Sequence, residues 1–459
     1  MNRETHFFKK VCSLALPVTL QAMLQSSFCA VDQIMVGQLG SSSIAAIGLA
    51  GKFSSIFSVV VSAVAAVAGI MIAQYMGKRD EDEVNRSFSM NLFAAVVLAV
   101  VFMMISVGFA EPVMGMYTQD MQTKLEAAGY LKIIAFTFLP MAGTMLLSTM
   151  LRCMEKASLP LYSSILAMLL NTGLNYVLIF GKFGIAPLGV TGAALATVTS
   201  QIANFLFLAA AFFYLYAKQG KSIHISFAWS GSRGRQFLSM LLPILITELL
   251  WSLGENVYAA IYGHMGTAEC AAMTLTGPIQ GLMIGALSGL SQAAAILIGK
   301  DLGRKEYERA YQKSKKLMLY GVAGSVVLSA LLLLLSRYYV QIYQVEEEVR
   351  QTAIQILAVF ALISPVKVQN MILGGGIIRS GGKTGYVMWI DIIGTWGFGV
   401  PLGMLAAFVF RYEIPYVYFM LSLEECVRLL MAWGIFKGRK WMQSLDDEMP
   451  CKGNEQMVS

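Results

Sequence analysis

The sequence predicts an all-α membrane protein: twelve transmembrane helices in two six-helix bundles, related by a pseudo-two-fold axis along the membrane normal. Three observations predict it. Uncharged apolar runs are long enough to span a bilayer, Lys and Arg crowd one set of the loops between them, and the second half of the chain repeats the first. Of 459 residues, 57% are hydrophobic and 13% charged, where soluble domains carry about 25% charged residues. The stretches 88–109 and 193–216 hold no formal charge, and each can cross a hydrocarbon core of roughly 30 Å.

The first ten residues, MNRETHFFKK, are charged, and the apolar stretch behind them shows no small-residue cleavage pattern. This reads as a first transmembrane helix rather than a removed signal peptide. The first six spans run over 14–36, 48–75, 88–109, 127–150, 160–180 and 192–216. The second six run over 239–262, 269–298, 317–336, 353–375, 386–409 and 415–436. They define a first lobe at 1–217, a polar cytoplasmic connecting loop at 218–238, a second lobe at 239–440 and a polar cytoplasmic tail at 441–459. Between these spans and at their ends, 25 of the Lys and Arg residues fall on one side and 6 on the other, Lys132 near the start of its span among the 6, while Lys52, Lys367 and Arg428 are counted within spans. Positive loops stay inside, so both termini are expected in the cytoplasm, with the protein in the prokaryotic plasma membrane. The net charge of +7 resides in those loops and faces anionic membrane lipid. It calls for no nucleic-acid partner.

The repeat is visible without gaps over about 70 residues. A shift of 226 carries Pro17 to Pro243, Ser26 to Ser252, Gly37 to Gly263, Gly51 to Gly277 and Gly77 to Gly303, and a shift of 227 carries Arg152 and Lys156 to Arg379 and Lys383. A repeat of six spans starts and ends on one side of the membrane, so the halves are parallel repeats, an architecture suited to transporters.

Ionisable residues inside spans are costly and mark function. Asp32 lies in the first span, 15 residues after Pro17, or about 22 Å along a helix. Pro17 removes a backbone hydrogen bond and is a candidate hinge. A carboxylate withdrawn from water favours its neutral form, which makes Asp32 a candidate proton exchanger. Its bland alternative is solvation of a wet vestibule. Glu248 and Glu255 in the seventh span are seven residues apart, nearly two turns, and share a face. Asp391 lies about one turn into the eleventh span. Glu424 and Arg428 are spaced i, i+4 in the twelfth beside Glu425 and read as a structural pair. Lys52 and Lys367 either snorkel or pair with acids. Asn171 and Asn175, also i, i+4, face one way, to hold a carboxyl or a cation or to join helices.

Other signals carry little. The six cysteines (Cys12, Cys29, Cys153, Cys270, Cys426 and Cys451) form no C-x-x-C pair and do not cluster with His6, His224 or His264, which argues against metal sites and disulfides. SGGKT at 380–384 lacks the leading glycine of a phosphate loop, Ile377 standing there, and no strand precedes it. The sequon at Asn85 is predicted cytoplasmic and unglycosylated. The 29 methionines read mainly as core packing.

The chain resembles the multidrug and toxic compound extrusion (MATE) family. The first span carries AVDQIMVGQLG over 30–40, the fifth NTGLNYVLIFG from Asn171, followed by PLGVTGAALAT up to Thr197, and the seventh TELLWSLG from Thr247. The tenth ends in GGGIIRSGGKT, the eleventh has IDIIGTWGFGVPLG and the twelfth LSLEECVRLL. The resemblance covers about residues 14–440. It implies export of amphipathic, often cationic, small organic compounds by a rocker-switch motion coupled to H⁺ or Na⁺. No metal or nucleophile constellation is visible in the sequence, which argues against a metal site and against an enzyme; a monomer with no cofactor beyond the coupling ion is expected. The resemblance implies a coupling site in the first lobe formed by Asp32, Asn171, Asn175 and Thr197, and an acid on the seventh helix of the second lobe, Glu248; Glu255 and Asp391 stand beside it as second-lobe candidates from their place in the spans. Two departures stand out. Some members carry an aspartate where Asn175 stands, and some an acid in the tenth helix, where this chain has Lys367 and Asn370. The runner-up reading is a lipid-linked oligosaccharide flippase of the same superfamily, whose cavity should be basic to hold phosphates.

Overall fold

The computed structural model describes residues 2–220, 231–343 and 345–448, and every regular element among them is helical. Residues 221–230 of the predicted connecting loop, with His224, and 449–459 of the predicted tail, with Cys451, lie outside the described residues. The first half contains α1 (Asn2–Gly37), α2 (Ser41–Lys78), α3 (Glu81–Gly108), α4 (Met121–Cys153), α5 (Ser158–Phe180) and α6 (Gly189–Lys218). The second contains α7 (Gly231–Met265), α8 (Thr267–Gly303), α9 (Tyr307–Gln341), α10 (Glu347–Ile378), α11 (Thr384–Val409) and α12, which is broken at Leu423 into Ile414–Ser422 and Glu424–Lys437. Among the described residues, eleven helices are individually long and apolar enough to cross a membrane. The twelfth predicted span is present as the two consecutive segments of α12, of 9 and 14 residues, each too short alone.

Most helices outrun their predicted spans. α1 has 36 residues, about 54 Å at 1.5 Å per residue, well beyond the hydrocarbon core. Helical pairing satisfies the backbone before the chain leaves the membrane, and charged residues at the ends simply extend the helix into water. Pro17 and Pro243, partners under the repeat, each lie inside the first helix of their half without ending it.

Contacts divide the chain into two compact units. One is Leu20–Ile72 with Glu81–Trp229; the other is Met1–Thr19, Ala73–Asp80 and Ser230–Ser459. The start of α1 and the end of α2 therefore group with the second half, whereas the lobes drawn from the sequence separate at 217 and 239. In the first unit a buried aromatic core forms where Phe57 meets Phe138 at 4.4 Å and Phe102 at 5.4 Å between ring centroids. In the second, Tyr258, Phe360, Val417 and Leu421 belong to one buried cluster to which every helix from α7 to α12 contributes.

Two boundaries need correction. Residues 231–238, predicted as loop, are the first turns of α7, because Phe237 and Gln236 are buried and anchor a helix whose polar face the composition had made look like linker. Residues 441–448, predicted as a polar tail, fold back, and Trp441 and Leu445 are buried at 0% and 2% exposure.

Helices of the second half also widen into π turns over Met371–Ile378 in α10 and over Ile393–Gly399 and Leu405–Val409 in α11. The glycines there admit neighbours at backbone distance. A Cβ at Gly376 would stand 2.7 Å from the Ser291 carbonyl oxygen of α8, and Ser291 Oγ donates to the Met371 carbonyl at 2.7 Å. π turns are rare and recur at functional sites.

Candidate functional site

In the first unit α5 and α6 lie close because the sequence leaves room. Gly181 ends α5 in the left-handed region at φ 68°, and the chain returns through Pro187. The small residues of GVTGAALA then open α6, and a Cβ at Gly192 would meet the Leu178 carbonyl oxygen at 2.7 Å. This approach places the amides of α5 against the hydroxyls of α6. Asn175 Nδ2 donates to Asp32 Oδ1 at 2.6 Å and to Asn171 Oδ1 at 2.9 Å. Asn171 Nδ2 in turn donates to Thr197 Oγ1 at 3.3 Å and Ser200 Oγ at 3.4 Å. Asn175 is fully buried, and its Oδ1 has no hydrogen-bond partner. Val36 on α1, Ile179 on α5 and Ala193 on α6 pack together, with Tyr130 and Leu39 against them. Val36 follows Asp32 by one turn, so this apolar cluster adjoins the carboxyl on its own helix face. The arrangement is one carboxylate held by a buried amide chain, with one free amide oxygen. Its chemistry suits a proton or a small monovalent cation.

The second unit has a denser charged cluster. Arg428 on α12 lies 3.4 Å from Glu424, 3.8 Å from Glu425 and 3.8 Å from Asp391, and its Nη2 donates to Thr395 Oγ1 in the π segment of α11. Tyr258 on α7 donates to Glu424 Oε2 at 2.5 Å. Asn370 on α10 donates to the Glu425 carboxylate at 2.8 Å, and Lys367 Nζ stands 3.8 Å from it. Glycines make the space: a Cβ at Gly399 would fall on Glu424 and the Tyr258 hydroxyl, and one at Gly394 on the Arg428 side chain. Three acids thus share two bases in a buried setting, where each charge is tolerated only because it is paired and hydrogen-bonded.

The MatE family model matches this chain twice, over residues 17–177 and 243–405. The chain belongs to the MatE family. The two matched segments start at the repeat-related prolines Pro17 and Pro243, so the internal repeat is the family's own. MATE proteins are multidrug efflux transporters, and this chain is a multi-pass membrane protein of that kind, with their twelve-helix, two-bundle fold. Among curated relatives, YisQ of Bacillus subtilis (strain 168), an uncharacterized transporter, is 22% identical over 94% of both chains. A probable multidrug resistance protein NorM of Rhizobium meliloti (strain 1021) is 26% identical, again over 94% of both. Among solved structures, a mutant of the Vibrio cholerae MATE transporter VcmN superposes with a TM-score of 0.86 at 16% identity, covering 95% of this chain and 98% of that one.

Within this MATE chain the structure brings Asp32, Asn171, Asn175 and Thr197 into one cluster. It does not gather Glu248, Glu255 and Asp391. Glu248 stands 3.8 Å from Arg379, Asp391 lies 3.8 Å from Arg428, and Glu255 is exposed. Lys52 is exposed. Tyr258, Thr395 and Ser200 were not singled out by the sequence reading. For Tyr258 a signal existed, because the 226-residue shift that pairs Pro17 with Pro243 pairs Asp32 with Tyr258.

Proposed function

We propose that this MATE transporter is a cation-coupled antiporter that exports small amphipathic, often cationic, organic compounds by rocker-switch alternating access from the prokaryotic plasma membrane, with both termini in the cytoplasm. The observation that carries the proposal is the Asp32–Asn175 contact at 2.6 Å, a single acid inside a spanning helix held by an amide that does not titrate. H⁺ is the coupling ion the site favours over Na⁺. A proton needs only the one carboxylate, whereas a bare Na⁺ needs several oxygen ligands, and Asn175 turns its NH₂ rather than an oxygen toward Asp32 and adds no second negative charge. Relatives named as probable multidrug resistance proteins support drug-like cargo. The intramembrane acids, Asp32, Asp391, Glu424 and Glu425 against Lys367 and Arg428, favour cationic cargo over the polyanionic phosphates of a flippase substrate.

Uptake of a fluorescent organic cation into inverted vesicles tests the reading. Accumulation should follow an imposed ΔpH, with the lumen acidic, and be abolished by a protonophore. Accumulation driven only by ΔNa⁺ would transfer the coupling to Na⁺. No gradient-driven accumulation above vesicles lacking the protein, across a panel of organic cations, would overturn the antiport reading.

A further inference from the structure

The end of α2 and the end of α8 cross at backbone contact, and the crossing is built from the repeat. A Cβ at Gly77 would fall on the Lys300 carbonyl, and one at Gly303 on the Gln74 carbonyl. The shift of 226 that exchanges Gly77 with Gly303 also exchanges Gln74 with Lys300, so the two halves meet through one self-complementary contact, used twice. Arg304 Nε donates to the Gly77 carbonyl at 3.1 Å.

The two sides of this crossing differ in what covers them. Gln74 is 1% exposed. Its Nε2 donates to the Ser380 carbonyl at the end of α10 at 2.7 Å, and its Oε1 accepts from the Leu445 backbone N–H at 2.9 Å. Residues 441–446 reach it as a strap. Trp441 is fully buried, stacked on Phe436 with centroids 5.8 Å apart, and its Nε1 donates to the Phe436 carbonyl. Gly381 and Gly382 leave the space that the Trp441 carbonyl and the Leu445 side chain use. Gln236 of α7 donates to the Leu445 carbonyl at 3.1 Å, and Asp446 pairs with Lys78 of α2 at 2.8 Å. One short segment thus ties α2, α7 and α10 together through a glutamine whose polar atoms have exchanged water for protein.

We propose that residues 441–446 are a strap that holds the end of α2 against α8 and α10, and that Gln74 must leave it before the transporter can open on that side. This rests on the alternating-access reading above. A buried amide released from its protein partners finds water only if the crossing opens with it, so the strap biases the two-state balance on which turnover depends.

The test uses full-length protein from which the native cysteines have been removed. Ser380→Cys is an isosteric reporter at a fully buried position. Gln74→Leu keeps the volume and removes all three side-chain hydrogen bonds, to Ser380, Gln443 and Leu445, and should raise the rate of N-ethylmaleimide labelling at the reporter, measured in inverted vesicles, by about tenfold. Asp446→Ala, which spares Gln74 itself, should raise it less. In a second arm, Lys78→Cys and Asp446→Cys are joined by a short bismaleimide. Joined protein should still bind a fluorescent cation at equilibrium but lose transport, whereas unjoined protein transports. Unchanged labelling in Gln74→Leu, or transport by the joined protein at the unjoined rate, would overturn the strap. If labelling responds while neither parent nor variant transports any cation, the strap stands and the export reading falls.

Discussion

The partner the fold supplies to Asp32 is an amide. Asn175 holds the carboxyl at 2.6 Å and is itself oriented by Asn171. Asn175→Ala should lower the transport rate, less severely than loss of the Asp32 carboxyl because the amide itself does not titrate, and Asn171→Ala should act in the same direction but more weakly, because it touches Asp32 only through Asn175. Initial transport rates in proteoliposomes check this; a wild-type rate in Asn175→Ala would mean that the contact does not support the carboxyl's work. Arg428 is a different kind of residue. It faces Glu424, Glu425 and Asp391 together, and truncating one partner of a buried pair leaves uncompensated charge at a cost of about 3–5 kcal/mol. Arg428→Leu should therefore lower the thermal unfolding midpoint in detergent markedly, and Glu424→Gln in the same chain should recover part of the loss. An unchanged midpoint in Arg428→Leu would show that the cluster is solvated.

At the scale of the helices, spacing explains what was legible. Asn171 and Asn175 are one turn apart, so their common face follows from helix geometry alone, and long apolar runs with few charges define nearly every span. What spacing does not contain is which helix stands opposite. The placement of Tyr258 against Glu424, Thr395 against Arg428 and Lys367 beside Glu425 is a matter of tertiary packing, and the π turns that admit Arg428 depend on Gly394 and Gly399 meeting side chains from another helix. The strap was illegible for a similar reason: Trp441 and Leu445 are two apolar residues in a polar stretch, too few to read as buried without the pocket that receives them. Close approach also separates glycines that sequence cannot rank. Gly192 faces the Leu178 carbonyl at 2.7 Å, whereas nothing lies within 4 Å of a Cβ at Gly173. Gly192→Leu should push α6 from α5, disturb Thr197 and reduce both folded yield and transport. Gly173→Ala should be neutral or stabilising by up to about 1 kcal/mol, as glycine is a poor helix residue. Size-exclusion profiles and melting midpoints of the two variants compare them directly; equal behaviour would remove the close-packing account of the α5–α6 pair.

For the whole molecule, the repeat organises the helices while the chemistry has diverged between its copies. Both halves open on a proline-containing helix, both place an arginine near a polar side chain of that helix (Arg152 donating to Gln21 at 2.8 Å, Arg379 beside Glu248 at 3.8 Å), and each supplies one glycine to the α2–α8 crossing. Yet Asp32 of the first half corresponds to Tyr258 of the second. The first half offers one lightly partnered acid and the second a compensated charge network, which is why coupling is assigned to the first and structural support to the second. The most direct test compares wild-type protein with Asp32→Asn in proteoliposomes under a defined ΔpH, alongside equilibrium binding of the same fluorescent cation. Asp32→Asn keeps the shape of the site but cannot ionise. Gradient-driven transport should fall to background while binding survives, since the amide stands in for the protonated carboxyl. Transport by Asp32→Asn at the wild-type rate would contradict the account and move coupling elsewhere, with Glu248 the first residue to examine.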